Sequence, residues 1–292
     1  MENFGERSQI IHGENLEVLS ALPADSVDLV YIDPPFNTGK SQRYQRVKTV
    51  RDDAGDRTGF KGERYSTIRM GSRSFADSFD DFLDFIEPRL IELRRVLSPC
   101  GSLIVHLDNR ESHYCKVLLD QLMGRECFMN EIIWAYDYGG RPRRRWPAKH
   151  DSLLWYVMDR DHYTFHLDGS DRIPYMAPGL VGAEKAARGK TPTDVWWHTI
   201  VPTNGNERTG YPTQKPLGIL RRIIAVHTAP GDLVLDCFAG SGTTGEAAAR
   251  ADRRFVMIEQ EEEAVQIMAQ RLAFADPECV GFSPLVTGES EA

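Results

Sequence analysis

The chain alternates short apolar runs with segments in which apolar residues recur every three to four positions. The runs are typical of buried strands, and the segments are typical of amphipathic helices. We predict strands at residues 10–12, 27–32, 102–107, 130–136, 233–235 and 254–258, and helices at residues 14–22, 79–97, 111–123, 217–227, 243–250 and 261–274. This order predicts an α/β fold, a doubly wound, mostly parallel sheet with helices on both faces.

Two stretches interrupt the alternation. Residues 42–74 show no periodicity and are rich in Arg, Gly, Asp and Thr, which predicts a long mobile loop. Residues 138–210 combine Gly, Pro and Thr with one strand-like run at 152–157, and we interpret them as a small inserted domain of irregular or β structure. The resulting division of the chain is 1–139, an inserted domain at 140–205, 206–276, and a loose tail at 277–292.

The charge is unevenly distributed. The formal net charge is −8, yet residues 41–75 hold nine Lys/Arg against four Asp/Glu, and residues 141–149 hold five basic residues and no acid. Basic patches on an acidic body favour contact with nucleic acid at those patches. A pair of solvated loops would also explain this charge, although less well for the arginine run. The stretch 41–75 is therefore a candidate lid or DNA clamp.

Several features restrict the class of protein. No apolar stretch approaches the ~20 residues needed to span a bilayer, and the first residues lack the pattern of a signal peptide. The five cysteines are widely spaced and never form C-x-x-C, which argues against a zinc site or a disulfide framework. We expect a cytoplasmic protein without a bound metal.

Asp33 stands at the end of the apolar run 27–32 and is followed by Pro34, Pro35 and Phe36. Proline ends the strand, so a carboxylate is fixed at its carboxyl end, where open α/β sheets bind ligands. Asp33 and the Pro34 carbonyl can accept both hydrogens of one amino group, while Phe36 can stack on the ring that carries it. That combination suits a flipped nucleobase. A strand stop with a capping Asp is the simpler interpretation of these four residues alone.

A second candidate site follows the predicted strand at 233–235. The turn from Asp236 to Thr244 contains Gly240 and Gly242 and precedes a predicted helix, so a ligand could approach its backbone closely. No Lys follows as in a phosphate-binding loop, and the dinucleotide fingerprint is incomplete. Glu259, nineteen residues past Gly240, is placed to bind ribose hydroxyls. These features favour a nucleoside cofactor over a plain turn.

The segment Tyr211-Pro212-Thr213-Gln214-Lys215-Pro216 precedes this turn in the chain. Lys215 stands next to a predicted helix start, where its ammonium group could meet the carboxylate of an amino-acid-bearing cofactor. An exposed lysine in a surface turn is the simpler interpretation of this segment alone.

Together the three motifs resemble the beta class of amino DNA methyltransferases that use S-adenosylmethionine. They are Asp33-Pro34-Pro35-Phe36, Tyr211-Pro212-Thr213-Gln214-Lys215-Pro216 and Phe238-x-Gly240-x-Gly242. Their order is the defining point, because in this class the catalytic motif comes first, the target-recognition region follows and the cofactor motif comes last. The resemblance covers residues 8–275 and implies a Rossmann-like methyltransferase fold with permuted motif order.

The resemblance also implies roles for individual residues. Asp33, Pro34, Pro35 and Phe36 would form the catalytic motif. The cofactor would be bound by Glu14, Asn15, Asp33, Thr213, Gln214, Lys215, Leu217, Asp236, Phe238, Gly240, Gly242, Thr243 and Glu259. Residues 140–205 would recognise DNA, through Arg141, Arg143, Arg144, Arg145, Lys149 and Trp196. At the position of Glu14 the family more often has Asp, so this residue departs from the family's pattern.

The activity implied is methyl transfer from S-adenosylmethionine to N6 of adenine in double-stranded DNA, by base flipping and direct in-line transfer without a covalent intermediate. N4-cytosine methylation is the nearest competing activity, although that group more often has Ser at the position of Asp33. The motifs are also compatible with RNA methylation and with a non-catalytic DNA-binding protein on the same fold. A homodimer, a cognate restriction enzyme and association with the nucleoid are further expectations from the resemblance.

Overall fold

The computed structural model describes residues 4–35, 81–202, 205 and 207–285, and the backbone of three strands between residues 40 and 77. The strands are β1 (Gln9–His12), β2 (Val27–Ile32), β3 (Lys40–Arg51), β4 (Arg57–Thr58), β5 (Arg64–Asp77), β6 (Leu97–Leu107), β7 (Phe128–Ala135), β8 (His150–Val157), β9 (Val195–Trp197), β10 (Leu233–Asp236), β11 (Arg254–Glu259) and β12 (Glu278–Val280). The helices are α1 (Asn15–Ser20), α2 (Phe82–Val96), α3 (Ser112–Met123), α4 (Ala183–Arg188), α5 (Leu217–His227), α6 (Thr243–Ala249) and α7 (Glu262–Leu272).

The main sheet has the strand order β12-β1-β11-β10-β2-β6-β8-β7-β9. The neighbours from β12 to β6 are parallel, β8 is antiparallel to both β6 and β7, and β9 is parallel to β7. The mostly parallel α/β fold predicted from the sequence is confirmed. Because β10 and β2 are direct neighbours, the two predicted sites meet at one edge of the sheet.

The central strands are buried as their apolar sequences require. In β2 every residue except Asp28 is buried, which is typical of a parallel strand covered on both faces. The carboxylate of Asp28 accepts a hydrogen bond from the backbone N–H of Leu233 at 2.9 Å, so this one polar residue helps to hold β10 against β2.

Local sequence explains where the helices begin. Asp81 caps α2, because its carboxylate accepts hydrogen bonds from the N–H groups of Leu83 and Asp84 at 2.9 and 3.4 Å. Glu14 caps α1 in the same way by accepting from Glu17 N–H at 3.0 Å. Gly242 precedes α6 with a φ of +75°, a left-handed conformation that favours glycine.

The stretch after Asp33 differs from the sequence prediction. Lys40–Arg51 pairs with Arg64–Asp77 in a long antiparallel hairpin, and Arg57–Thr58 adds a third short strand. The prediction of a loop without regular structure is therefore wrong for the backbone of these strands. Its residues alternate too little in polarity to indicate a strand that packs on a core, which is why periodicity misses it.

The predicted inserted domain at 140–205 is also corrected. Its strand-like run is β8, which pairs with β6 and β7 inside the main sheet, and β9 extends the same sheet. Residues 158–194 connect β8 to β9, and both ends of this connection lie at the amino edge of the sheet. The connection packs near the end of α5, where the N–H of His166 donates to the carbonyl of Val226 at 2.7 Å. Instead of one separate domain, this stretch forms a pair of sheet strands with two connecting segments.

The tail is only partly as expected. Glu278–Val280 forms β12, which pairs in parallel with β1, so the chain does not become loose directly after Pro277. The predicted loose tail at residues 286–292 lies outside the described residues.

Candidate active site

A cavity of about 560 Å³ lies at the carboxyl edge of β2, β10 and β11. Six segments of the chain, separated in sequence, converge on it. Its lining includes Gly13, Glu14, Asn15, Asp33, Pro34, Pro35, Phe85, Arg89, Tyr211, Thr213, Gln214, Lys215, Asp236, Phe238, Gly240, Thr243 and Glu259. The structure thus brings most of the predicted catalytic and cofactor-binding residues together.

Asp33 lies at the inner end of this cavity, with 15% of its side chain exposed. Its Oδ2 contacts the Nζ of Lys215. Its Oδ1 is buried without a hydrogen-bond partner among the described residues, and it lies 3.8 Å from Nδ1 of His106. The carboxylate is therefore bound on one oxygen, and it has unused accepting capacity on the other. Phe36, the predicted stacking ring, lies outside the described residues.

A buried polar cluster lies behind Asp33. His106 on β6 is fully buried; its Nδ1 is 2.7 Å from the Tyr31 hydroxyl and its Nε2 is 3.1 Å from Asp151 Oδ2. Asp151 also accepts a hydrogen bond from the Tyr136 hydroxyl at 2.9 Å. Burial works to raise the pKa of Asp151, but the hydrogen bond with His106 helps to outweigh burial, and the pKa is lowered.

The turn after β10 is held by Asp236. Its two carboxylate oxygens accept hydrogen bonds from the N–H of Phe238 at 3.0 Å and from the Thr244 hydroxyl at 2.6 Å. Burial raises the pKa of Asp236 to about 7, and the nearby charges of Asp33 and Glu259 act in the same direction. These two hydrogen bonds let Asp236 hold the glycine turn against the start of α6.

Gly240 brings the backbone of this turn close to Tyr211. It has a φ of +50°, and a Cβ placed there would lie 3.1 Å from the ring of Tyr211. Gly242 has a different role, because it does not line the cavity and a Cβ there would lie 2.5 Å from Cγ of Met268. This glycine lets α6 pack against α7, and its predicted contact with the cofactor stays a prediction.

Glu259 ends β11 at the cavity wall. Its carboxylate accepts hydrogen bonds from the N–H groups of Gly240, Gln260 and Glu261, each at 2.9 Å. Burial raises the pKa of Glu259, although these three donors act against the shift. A carboxylate has about four acceptor positions, so Glu259 can brace the turn and still accept from a ligand hydroxyl.

Glu14 and Asn15 form the opposite wall with Arg89. The Arg89 guanidinium donates to Glu14 Oε1 and to Asn15 Oδ1, both at 2.6 Å, and packs over the ring of Phe85 at 3.9 Å. The Asn15 amide donates to the carbonyl of Cys237 at 3.0 Å. This network joins the start of α1 to the glycine turn, and it gives Glu14 two structural roles, as a helix cap and as an ion-pair partner.

Most but not all of the cofactor-binding residues predicted around the start of α5 line the cavity. Thr213 and Lys215 line the cavity, and so does Gln214, whose amide group holds the loop by donating to the Glu207 carbonyl at 2.6 Å. Leu217 is buried at the first position of α5 and is absent from the cavity lining. Its side chain packs into the core, and its predicted place in the cofactor site stays a prediction.

Thr243 is tied to the base of the site. Its hydroxyl donates to the carbonyl of Lys215 at 3.2 Å and accepts from the Arg271 guanidinium at 2.8 Å. Arg271 is only 5% exposed and is also paired with Glu246. Thr243 consequently links the lysine segment to the start of α6.

The predicted DNA contacts separate into exposed and buried residues. Arg141, Arg143, Arg144 and Arg145 are exposed, and Lys149 donates to the carbonyls of Tyr138 and Gly139 at 2.6 and 2.8 Å. Since β7 and β6 run in the same direction, the connection from β7 to β8 that carries these residues lies at the edge of the sheet where Asp33 lies. The arginines therefore face solvent on the active-site side.

Trp196 is a correction to that prediction. It is 7% exposed, its indole N–H donates to the Thr193 carbonyl at 2.7 Å, and the Arg222 guanidinium lies 4.8 Å from its ring. A buried tryptophan cannot contact DNA in this conformation. Trp146, within the arginine run, is 95% exposed.

Sequence reasoning misses several residues of the site. Tyr31, Phe85, Arg89 and His106 contact the cavity or Asp33. Each residue lies in a segment whose sequence is already explained by a helix or a buried strand, in most cases by an apolar pattern typical of the core. Only an isolated polar residue in a buried strand, such as His106, offers a usable signal.

Two negative findings apply to the described residues. No group of His, Cys, Asp and Glu among them is arranged to hold a metal ion. Within the same part of the chain, none of the helices combines the length and apolarity required to cross a lipid bilayer.

Comparison with known proteins agrees with this geometry. The family described as DNA methylase, comprising N6 and N4 methyltransferases, matches residues 27–270. The DNA adenine methyltransferase YhdJ of Escherichia coli K12 is 30% identical over 286 residues, covering 93% of this chain and 85% of that protein. The type II methyltransferase M.HpaI of Haemophilus parainfluenzae is 27% identical over 95% of this chain and 77% of its own length.

Solved structures show the same fold. The cytosine-N4-specific PvuII DNA methyltransferase superposes with a TM-score of 0.64 at 17% identity, over 97% of this chain and 88% of that one. The M1.HpyAVI–SAM complex gives a TM-score of 0.58 at 23% identity, over 90% and 98%. Because the family match spans most of the sequence and the E. coli relative reaches 30% identity over nearly all of it, this chain belongs to the family of N6/N4 DNA methylases.

Proposed function

We propose that the protein transfers a methyl group from S-adenosylmethionine to the N6 amino group of adenine in double-stranded DNA. The observation that carries this proposal is the shared cavity: the acceptor groups of Asp33 and Pro34 line the same space as the glycine turn after β10. The E. coli relative is named a DNA adenine methyltransferase, which supports adenine as the base.

The residues present fit the proposed cofactor. Glu259 retains accepting capacity for hydroxyl groups, Gly240 presents backbone without a side chain to the cavity, and Lys215 offers a cation for a carboxylate. Phe85 and Phe238, whose ring centres are 6.1 Å apart, provide apolar surface on the same cavity. S-Adenosylmethionine would supply an electrophilic methyl group carried on a sulfonium.

Asp33 and Pro34 would prepare the amino group for attack. The lone pair of an aromatic amine is delocalised into the ring, which makes its nitrogen a poor nucleophile. Accepting one N–H at the Asp33 carboxylate and the other at the Pro34 carbonyl favours a tetrahedral nitrogen whose lone pair points away from the ring. The catalytic contribution of the protein is then positioning and preorganised hydrogen bonding.

DNA would bind across the carboxyl edge of the sheet. The exposed arginines at 141–145 and the hairpin of β3 and β5 both connect to strands at the edge where Asp33 lies. Phosphate contacts by arginine are independent of sequence and position a duplex. The target adenine would have to leave the helix to reach Asp33.

Further partners belong to this proposal. We propose that the enzyme works on chromosomal DNA at the nucleoid of the cytoplasm, that it pairs with a second copy of itself, and that a cognate restriction enzyme shares its target. Relatives such as M.HpaI and M.BglII are named type II methyltransferases. Sedimentation of the purified protein with and without DNA tests the dimer.

The proposal is tested by methyl transfer from labelled S-adenosylmethionine to unmethylated genomic DNA, followed by digestion to nucleosides and separation by mass. Label in N6-methyladenine is the expected result. The Asp33→Ala protein should give no label while it still binds the cofactor, and activity in that variant would contradict the assignment of Asp33.

N4-cytosine methylation is a second candidate, because the PvuII enzyme that shares the fold is named cytosine-N4-specific. The same digest separates the two functions, since label in N4-methylcytosine would replace adenine as the target and keep the role of Asp33. Label in neither nucleoside, from a protein that binds the cofactor, would overturn both and direct the assay to RNA.

A further inference from the structure

His106 is the buried neighbour of the proposed catalytic carboxylate. It is fully buried on β6, and its Nδ1 lies 3.8 Å from Asp33 Oδ1 and 2.7 Å from the Tyr31 hydroxyl. The edge of the Trp134 ring packs against the imidazole, with ring centres 5.5 Å apart. The ring is thus fixed in one orientation relative to Asp33.

The partners of His106 define which nitrogen carries its hydrogen. Asp151 Oδ2 lies 3.1 Å from Nε2, and an ionised carboxylate can only accept, so Nε2 carries a hydrogen and donates it. In the neutral ring Nδ1 is then the basic nitrogen, and it faces Tyr31 and Asp33. This is the arrangement in which a carboxylate orients an imidazole and stabilises its protonated form.

The proposed methyl transfer leaves one proton to be placed. The bond from N6 to the methyl carbon forms, the bond from sulfur to that carbon breaks with its electron pair going to sulfur, and the nitrogen must lose one hydrogen. Asp33 can take this proton directly, because its carboxylate is a hydrogen-bond acceptor for the amino group. The next base behind it is His106.

We propose that His106 receives, at Nδ1, the proton that Asp33 takes from the amino group, and that Asp151 stabilises the resulting imidazolium. The inference rests on the proposed function. His106 touches neither base nor cofactor in this scheme, so it is a positioning residue that restores Asp33 to its accepting form. When the product leaves, the proton returns to solvent through the opened cavity.

Charged and titratable groups from several strands surround the imidazole of His106. Asp33 and Asp151 flank the imidazole. Asp108 interacts electrostatically with Asp151, and Asp236 with Tyr31. Lys215 acts on Asp151 with the opposite sign. The hydroxyls of Tyr31 and Tyr136 complete the titratable groups around the cluster. Carboxylates therefore outnumber cations around the imidazole.

The test compares single-turnover methyl transfer by the whole enzyme and by His106→Asn between pH 5 and pH 8. In the wild type the rate should fall at acidic pH, because a protonated His106 cannot accept a second proton. In His106→Asn we expect a rate about 100-fold lower, a flattened acidic limb, and an unchanged dissociation constant for the cofactor. Asp151→Asn, which removes the charge that supports the imidazolium, should change the profile in the same direction.

His227→Asn is the matched control. His227 is likewise buried, at 3% exposure, and lies at the far end of α5 away from the cavity; burial lowers its pKa to about 3. This variant should keep the wild-type pH profile.

Two results would overturn the inference: a wild-type rate in His106→Asn, or a rate lowered equally at every pH, which indicates a structural role only. If His106→Asn does not fold, an unchanged pH profile in Asp151→Asn overturns it instead. A wild-type enzyme that methylates no base would contradict the proposed function itself, and this inference with it.

Discussion

The ammonium group of Lys215 contacts the Asp33 carboxylate, although the two residues lie 182 positions apart in the sequence. Both side chains are largely buried, with 11% and 15% exposed. Each has a separate proposed task, Lys215 with the cofactor carboxylate and Asp33 with the target amino group. On these proposed roles, we expect cofactor binding to draw Lys215 away from Asp33 and to free an oxygen of Asp33 for the base.

Replacing Lys215 by methionine should therefore weaken cofactor binding. A hydrogen bond to a charged group contributes about 1.5–3 kcal/mol, so we expect the dissociation constant for S-adenosylmethionine to rise about 10- to 100-fold in Lys215→Met. Isothermal titration calorimetry on the purified protein measures the change. Lys185→Met, on the exposed face of α4, is the control and should bind as the wild type does; equal affinity in both variants would contradict the role of Lys215.

The two glycines of the cofactor turn should respond differently to alanine. Gly240→Ala places a methyl group beside the Tyr211 ring inside the cavity, so it should lower cofactor affinity. Gly242→Ala places one against Met268 in the core and should mainly lower the free energy of unfolding, by at least the ~1–2 kcal/mol of the left-handed backbone. Urea denaturation and cofactor titration separate the effects.

Gly231→Ala is the control for the backbone alone. Gly231 has a φ of +89° with no atom near the added Cβ, so its variant should show the conformational cost without loss of cofactor affinity. A Gly240→Ala protein that resembles Gly231→Ala in both measurements would show that the cavity has no ligand at this point.

Asp236 should make stability depend on pH. Its pKa of about 7 in the folded protein lies above its ordinary value of 3.8, so between these values the folded state binds more protons than the unfolded state. The free energy of unfolding therefore falls as pH rises. In Asp236→Asn we expect the fall between pH 5 and pH 8 to be smaller by roughly 2–3 kcal/mol, measured by urea denaturation.

The Thr244→Val variant provides the opposite change. It removes the hydroxyl that donates to the Asp236 carboxylate at 2.6 Å, so the charged form loses a stabilising contact, the pKa rises further, and the fall in unfolding free energy should extend to higher pH. If Asp236→Asn and the wild type show the same slope, the buried carboxyl does not control it.

Substitutions at two tryptophans should affect stability and DNA binding separately. Trp196→Ala removes a buried ring and should cost about 3–5 kcal/mol of unfolding free energy. Trp146→Ala changes a 95% exposed ring, so stability should change by less than about 0.5 kcal/mol, while affinity for duplex DNA falls. Fluorescence anisotropy with a labelled duplex measures the second effect, and DNA affinity unaffected by Trp146→Ala would remove this ring from the interface.

The arginine run should determine the salt dependence of DNA binding. Each phosphate contact contributes a slope of about −0.9 to log K against log salt. The triple variant Arg143→Ala, Arg144→Ala, Arg145→Ala should therefore reduce the magnitude of the slope by up to about 3. Binding constants measured at several salt concentrations test this.

A control of equal charge changes Arg7, Arg125 and Arg160 to alanine. These exposed residues lie beside β1, β7 and β8 at the amino edge of the sheet, opposite the cavity. A slope altered equally by both triple variants would indicate that overall charge, not the arginine run, governs binding.

The parts of the site that the sequence predicts are those whose chemistry is local. Asp33 is recognisable because Pro34 and Pro35 end an apolar strand directly after it, and Glu259 because it follows the glycine turn at a characteristic distance. His106 stands out only as an isolated polar residue in a buried strand, and its role depends on pairing between β2 and β6 and between β6 and β8, which no single segment encodes. The same holds for Arg89, whose partners lie at the start of α1.

The wrong predictions also have local causes. Trp196 stands in a polar, irregular segment that suggests a surface, and the sequence does not show which way an indole points. The run at 152–157 resembles part of a separate domain because a connection of more than ten residues precedes it, although β8 returns to the sheet beside β6. The strands at 40–51 and 64–77 pair with each other and carry no core-facing pattern.

The position of β1 has a consequence for the order of folding. This strand lies between β11 and β12, where Gln9 pairs with Val256 on one side and Glu278 on the other. During synthesis β1 is made long before β11 and β12, so it lacks both neighbours until those strands have emerged. Pairing over such long separations is slow, so the wall of the cavity formed by Glu14 and Asn15 would be completed last, and a nascent chain would have no cofactor affinity until then.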